Sequence, residues 1–224
     1  MRIKLVLLIA CCFLSVNSEA YAISKKKLND RIERYNNYLD EVMEIPDTEI
    51  PSNLLKSCKG ILIMRQYKAG FIFGVKGGSG VALKRDKETG KWSAPTFVTN
   101  AEGSFGFQIG GQAIDAILLI MNKSGVESLL QAKCKLGVDV SVAAGPVGRD
   151  AEAKIGPDTA FLVYSKAKGL YGGISLEGGI ITQDNKANKK FYGKEVTVKE
   201  IFKGEVDVPE EANVLIKTLD KYCN

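Results

Sequence analysis

The sequence predicts an α+β fold that is mainly antiparallel β, a strongly coiled or closed glycine-rich sheet with a duplicated hairpin unit, flanked by N- and C-terminal helices. Three observations carry this. The 224 residues hold 23 glycines against 6 prolines, and many of those glycines lie inside runs of period two. One such run recurs about a hundred residues later. Segments of helical period bracket the whole. At 45% hydrophobic and 25% charged, the composition is that of a globular chain, and the length suits one domain.

The first 22 residues read as a secretory signal peptide. Arg2 and Lys4 precede the apolar stretch Leu5 to Val16, and Ala20-Tyr21-Ala22 supplies a small-residue cleavage site. The stretch is shorter than the roughly 20 residues a bilayer span needs. A lipoprotein site at Cys11, in Leu8-Ile9-Ala10-Cys11, is the lesser alternative. Residues 23–224 are then the mature domain, exported to the periplasm or to the periphery of an envelope membrane.

Within it, Ile32, Tyr35, Leu39 and Val42 recur at helical spacing and predict an amphipathic helix over about 28–43, with Lys25-Lys26-Lys27 ahead of it and Pro46 behind. From Gly60 the period changes to two. Phe71, Phe73 and Val75 alternate with Gly70 and Gly74, Gly77-Gly78-Ser79-Gly80 leads into Val81-Ala82-Leu83, and the charged loop from Lys84 ends on Gly90, a glycine suited to a left-handed turn residue. Sliding the chain by 99 positions (169 minus 70) places Gly70, Gly74 and Gly80 on Gly169, Gly173 and Gly179, and Lys87 and Lys91 on Lys186 and Lys190. Leu62-Ile63-Met64 then faces Phe161-Leu162-Val163, and Trp92 faces Phe191. The duplicated units run over about 61–94 and 160–193. Between them, Phe105, Phe107 and Ile109 alternate with glycine and glutamine. An apolar run, Ile114 to Met121, follows, then a short helix at Ser124 to Ala132, and Leu136, Val138, Val140 and Val142 alternate again. Glycine inside strands weakens them unless the sheet bends or another backbone comes close, which is why the sheet is expected to coil. Pro209 to Tyr222 reads as a closing helix, with Glu210-Glu211 in its first turn.

Chemistry is scarce in this chain, and no enzyme is expected. It has no histidine, so neither a Ser-His-Asp triad nor the commonest general base is available. A Walker loop fails because Arg85 stands where its first glycine belongs and Trp92 where Ser or Thr belongs. Without C-x-x-C spacing, no metal or cofactor site is expected. Three cysteines, Cys58, Cys134 and Cys223, remain after the signal segment. An oxidising compartment permits one disulfide among them, while a small apolar role is the plainer expectation for Cys58 and Cys134. Asp115, at the edge of an apolar run, needs a hydrogen-bonding or cationic partner; Arg149 is a candidate for Asp115 or Asp150.

The lysines carry the functional expectation. Lys84, Arg85, Lys87 and Lys91 crowd one hairpin tip, and Lys186, Lys189, Lys190 and Lys194 its counterpart. If the two units are related by a pseudo-twofold, the tips share one edge and suit an anionic membrane, each cation near the surface contributing about 1 kcal/mol. Solvated loop tips are the plain alternative. Nucleic acid is excluded as a partner by export and by the lack of a recognition motif.

Several blocks in order resemble the SYLF domain family: Lys68-Ala69-Gly70-Phe71, Gly77-Gly78-Ser79-Gly80, Gly90-Lys91-Trp92-Ser93-Ala94-Pro95, Ser141 through Arg149, and Gly169 through Gly178. The resemblance covers most of the chain from Leu28 to Tyr222. It implies binding of phospholipid, notably phosphoinositides in eukaryotic members, with a basic N-terminal amphipathic helix contributing. Here the matching positions are Lys25, Lys26, Lys27 and Arg31. Some members bind actin filaments, a partner an exported chain would not meet. The expectation is thus a lipid-binding protein for anionic headgroups. An integral outer-membrane β-barrel and a structural or protein-binding envelope component are the alternatives.

Overall fold

The computed structural model describes residues 23–47, 49–70, 73–105, 110–147, 156, 158–167, 170–172 and 179–223. The signal-peptide and lipobox residues, Arg149 and much of the Gly169 to Gly178 block lie outside them.

The chain opens with helix α1 (Lys25–Glu44) and the short α2 (Ser52–Ser57). Four long strands follow: β1 (Gly60–Gly70), β2 (Phe73–Lys84), β3 (Thr96–Phe105) and β4 (Gly110–Ile120). After α3 (Lys123–Leu130) come the short strands β5 (Lys133–Lys135) and β6 (Val142–Ala144), then β7 (Phe161–Ala167), β8 (Leu170–Gly172) and β9 (Ile180–Gln183). The chain finishes with α4 (Asn185–Tyr192), α5 (Val198–Phe202), a 3₁₀ turn at Glu210–Ala212 and α6 (Asn213–Cys223).

The strands form one sheet in the order β5-β9-β3-β2-β1-β4-β7-β6, with β8 beside β7. Every pairing is antiparallel except β6 with β7. The segment that begins beside β7 ends beside β3, which draws the two sides of the sheet toward each other, and the sheet is a strongly curled half-barrel. The expected α+β class, the coiled sheet and the helices at both ends are all present.

Both faces are covered. Ile61, Ile63, Val81, Leu83, Phe97 and Ile117 pack under α1, α2, α4 and α6. Leu62, Met64, Ala82, Val98, Ala116 and Leu118 pack on the other face with α3, α5 and the residues around β5. Strands buried on both sides read as unbroken apolar runs, as Ile61 to Met64 and Ile114 to Ile120 do. A transmembrane barrel needs the reverse, an apolar band turned outward to lipid. Among the described residues no helix is long and apolar enough to cross a membrane.

Three expectations are corrected. The second unit repeats the hairpin only in part: β2 pairs with β1 along its length, whereas β8 pairs with β7 over three residues and β9, the counterpart of the end of β2, pairs with β3 and β5. The counterpart of the first lysine loop is a helix, α4. Asp184 caps it by accepting from Ala187 N at 3.0 Å, Ala187, Asn188 and Phe191 bury one face, and Gly193 ends it in the left-handed region at φ 71°. The alternation from Leu136 to Val142 is likewise not one strand, because Gly137 at φ 77° turns the chain and leaves Val138 67% exposed. Conversely, Gly90 has the left-handed φ of 71° expected of it.

Close approach explains two of the strand glycines. A Cβ on Gly80 would lie 2.8 Å from Ile63 O and 2.8 Å from Met64 Cβ, and one on Gly78 would collide with Arg65 O. A Cβ on Gly77 would find its nearest neighbour at 3.8 Å. Gly80→Ala is therefore expected to lower unfolding stability by about 2 kcal/mol, and Gly77→Ala to change it by less than about 0.5 kcal/mol. Urea denaturation of the two variants checks this; equal costs would remove close approach as the reason for the glycines.

Candidate functional site

Helix α1 carries all four cations that the family resemblance singles out, Lys25, Lys26, Lys27 and Arg31. Ser24 caps it, its Oγ accepting from Lys27 N at 3.3 Å, so the helix starts three residues before the first expected position. The face formed by Leu28, Ile32, Tyr35, Tyr38, Leu39 and Val42 is buried on the sheet. Two tyrosines fix its seat: Tyr35 Oη donates to Ser79 O at 2.6 Å, and Tyr38 Oη donates to Asp115 O at 3.0 Å. Burial raises the Tyr35 phenol, with the Ser79 hydrogen bond and then Arg31 and Arg34 opposing it.

The charges on α1 run against its dipole. Its first turn holds Lys25, Lys26 and Lys27 and no acid, while its last turn holds no base and ends on Glu44. Helix N-termini favour anions and C-termini favour cations. Lys25 is compensated by Glu211 at 2.7 Å; Lys26 and Lys27 are exposed and have no ion pair among the described residues. Arg31 is half-buried near Tyr35, and one of its guanidinium nitrogens is buried without a hydrogen-bond partner.

Lysines of the second cluster lie beside this helix. Lys186, Lys189 and Lys190 are exposed on α4, which packs against α1; Lys189 pairs with Glu195 at 2.6 Å. Asn188 anchors α4 from inside, accepting from Phe97 N at 2.8 Å and donating to Thr96 Oγ1 at 3.1 Å.

The first cluster is a different matter. Lys84 Nζ donates to Phe202 O, the last carbonyl of α5, at 3.1 Å. Arg85 donates to Lys56 O in α2 at 2.8 Å, to Cys223 O in α6 at 3.3 Å and to Gly90 O at 3.0 Å, and its guanidinium lies 5.7 Å from the Trp92 ring centroid. These two cations cap the C-terminal ends of three helices, where carbonyls lack partners and the dipole is negative. Lys87 and Lys91 are exposed on the loop, which Asp86 shapes by accepting from Thr89 N at 2.8 Å and Thr89 Oγ1 at 2.8 Å. Those hydrogen bonds hold the Asp86 carboxyl below its ordinary range.

The first cluster lies away from the start of α1. Helices α1 and α6 run parallel, for Lys25 pairs near the start of α6 with Glu211, and Asp40 accepts from Tyr222 Oη near its end at 2.9 Å. Arg85 binds the end of α6, toward the far end of α1 from Lys25, and a helix of 20 residues is about 30 Å long. The structure therefore places Lys25, Lys26, Lys27 and Arg31 in the same helix layer as Lys186, Lys189 and Lys190, with Lys84, Arg85, Lys87 and Lys91 toward the far end of α1 from Lys25. Helix α4 itself is anchored to Thr96 and Phe97, which pair with Ala82 and Val81 near the end of β2.

Sequence reasoning missed the partner of Asp115. It is Arg65, directly across the β1–β4 ladder, whose Nε donates to Asp115 Oδ1 at 2.6 Å and whose Nη2 pairs with Oδ2. The carboxylate raises the Arg65 pKa further. An arginine directly after the run Ile61 to Met64, with an aspartate at the matching depth of Ile114 to Ile120, was the available signal. Arg149, the earlier candidate, lies outside the described residues.

A family model described as "Ysc84: Las17-binding protein actin regulator" matches residues 101–222, spanning β3 through α6. The chain belongs to the Ysc84 (SYLF) family. It is 40% identical over 179 residues to Protein YSC84 of Saccharomyces cerevisiae, a match covering 78% of this chain and 38% of that protein. It is 38% identical to the yeast LAS seventeen-binding protein 3, covering 78% of this chain and 39% of the relative. It is 33% identical to the human SH3 domain-containing YSC84-like protein 1, covering 79% and 52%. The chain thus spans about two-fifths to half of the curated relatives' length. No solved structure matches it.

The capping role of Arg85 separates it from its neighbours in the loop. Arg85→Gln is expected to cost about 2 kcal/mol of stability, while Lys87→Gln stays within about 0.5 kcal/mol of the parent. Thermal and urea unfolding of the two variants decide it; an unaltered Arg85→Gln would release that residue to act as a surface charge.

Proposed function

We propose that this Ysc84-family chain is a non-enzymatic lipid-binding protein, exported and peripheral to an envelope membrane, that docks anionic phospholipid on the N-terminal half of α1 and the neighbouring face of α4. One observation carries the reading: α1 places three lysines where its own dipole disfavours them, and only Lys25 has an ion pair among the described residues. A charge arrangement that weakens the helix is readily accounted for by an anion that meets it from outside. The resemblance to SYLF domains points to phospholipid as that anion, and the lysines of α4 extend the basic area. Lys84 and Arg85, committed to helix ends, leave the lipid-binding set, and Lys87 and Lys91 are secondary to it. The ligand is an envelope phospholipid or another anionic lipid rather than a cytosolic phosphoinositide if the first 22 residues direct export.

A second reading, protein binding, is favoured by the description of the family as Las17-binding and by the name of LAS seventeen-binding protein 3. The same basic surface would then meet an acidic protein segment.

Sedimentation with vesicles separates the two. The chain is expected to bind phosphatidylglycerol vesicles in low salt, to release them as salt rises, and to ignore phosphatidylcholine vesicles. Replacing Lys25, Lys26 and Lys27 with Glu should weaken binding by about a hundredfold or more, whereas Lys87→Gln with Lys91→Gln should change it little. Equal sedimentation with neutral and anionic vesicles would refute lipid as the ligand; undiminished binding by the triple variant would move the surface elsewhere.

A further inference from the structure

Cys58, Cys134 and Cys223 are buried free thiols, and the sheet divides them. Cys134 belongs to the apolar cluster on the α3 and α5 face, and Cys58 and Cys223 share the cluster on the α1 and α6 face. Cys58 ends α2 at the entry to β1, its amide donating to Leu54 O at 2.9 Å and its thiol to Leu55 O at 3.1 Å. Cys223 is the last residue of α6, which packs against α2. A single guanidinium, that of Arg85, donates to both Lys56 O and Cys223 O, and a rigid planar group reaches both only if the two helix ends lie side by side.

We propose that Cys58 and Cys223 form a disulfide, tying the entry of β1 to the end of α6, when the chain folds under oxidising conditions. Cys134 stays reduced. In the step, the two thiols give up two protons and two electrons, one S–S bond forms between them, and the S–S bond of the oxidant, an oxidised dithiol protein or oxidised glutathione, is broken into two thiols.

Folding order follows from burial. Desolvation raises the Cys58 thiol to about 12, with Cys223 adding to the rise, and raises the Cys223 thiol to about 11. Thiolate is the reacting species, so these groups exchange poorly once packed. The bond therefore forms before α6 is fully seated. Once buried, it is protected from reductants.

Tryptic mapping reads this directly. The full chain, reduced and unfolded in urea, is refolded by dilution into a mixture of oxidised and reduced glutathione, alkylated and digested without reduction. Cleavage after Lys56, Lys59 and Lys221 releases Ser57-Cys58-Lys59 and Tyr222-Cys223-Asn224. The expected product is these two peptides joined, with Cys134 alkylated. Separate alkylated peptides, either cysteine carrying glutathione, or a link to Cys11, Cys12 or Cys134 would overturn the proposal. A chain that does not refold is replaced by one purified from an oxidising expression compartment, mapped in the same way. Reduction should lower Tm by about 5 °C or more in the parent and leave that of Cys223→Ser unchanged; an equal loss in both would also overturn it.

Discussion

Two-sided burial of the central strands governs this molecule. Ile61, Leu62, Ile63 and Met64 are consecutive, point alternately to opposite faces and are each at most 1% exposed. A strand with apolar groups on both faces is satisfied only when both faces are covered, so the sheet cannot stand without helices on each side. The ends of the chain, α1, α2 and α6, together with α4 supply one cover, and α3 and α5 supply the other. Curling follows from the same demand. Where glycines stand at Gly78 and Gly80, neighbouring strand backbone and side chains close into space that a Cβ would occupy, and the sheet bends around a core that flat strands would leave open.

Much of this was legible in the sequence, for physical reasons that can be named. Period-two alternation and unbroken apolar runs report strands directly, and the helical spacing of Ile32, Tyr35, Leu39 and Val42 reports the buried face of α1. What was not legible was pairing. The likeness between the two units is real at the level of strand placement, since β7 occupies the place of β1 and β9 that of the end of β2. Yet a strand's partner is set by the surface available to it, and β9 finds β3 and β5 instead of β7. The lysines at 186, 189 and 190 were read as a hairpin tip by that analogy, against local signals that favour a helix: Asp184 as cap, Ala187, Asn188 and Phe191 on one side, Gly193 as stop. Arg65 and Asp115 escaped because cross-strand register, unlike helical spacing, is not a local property of sequence.

Stability and the proposed binding make opposed demands on α1. Its buried face and its two tyrosine hydrogen bonds hold it firmly to the sheet, so its orientation is fixed before any ligand arrives. Its exposed charges are arranged as if stability were not the criterion, basic at the end that prefers acids and acidic at the end that prefers bases. Glu211 relieves Lys25, and the neighbouring positions are left to solvent. Local rules are broken in folded proteins chiefly where function requires it, which makes the start of α1 the informative region of the surface.

Lys84 and Arg85 show the opposite case, and they limit how far charge counting can go. As neighbours at the end of β2 they point to opposite faces of the sheet, and the helix layers end at that rim. Lys84 therefore meets the end of α5 on one side, and Arg85 meets the ends of α2 and α6 on the other. Each supplies positive charge to carbonyls that no helix can satisfy for itself. Two basic residues that look like surface charge in sequence thus hold both covering layers to the sheet. Removing them from the proposed contacts leaves the candidate cations of α1 and α4 in the layer on one face of the sheet, and under the proposed function that layer would meet a planar anionic partner in a single orientation.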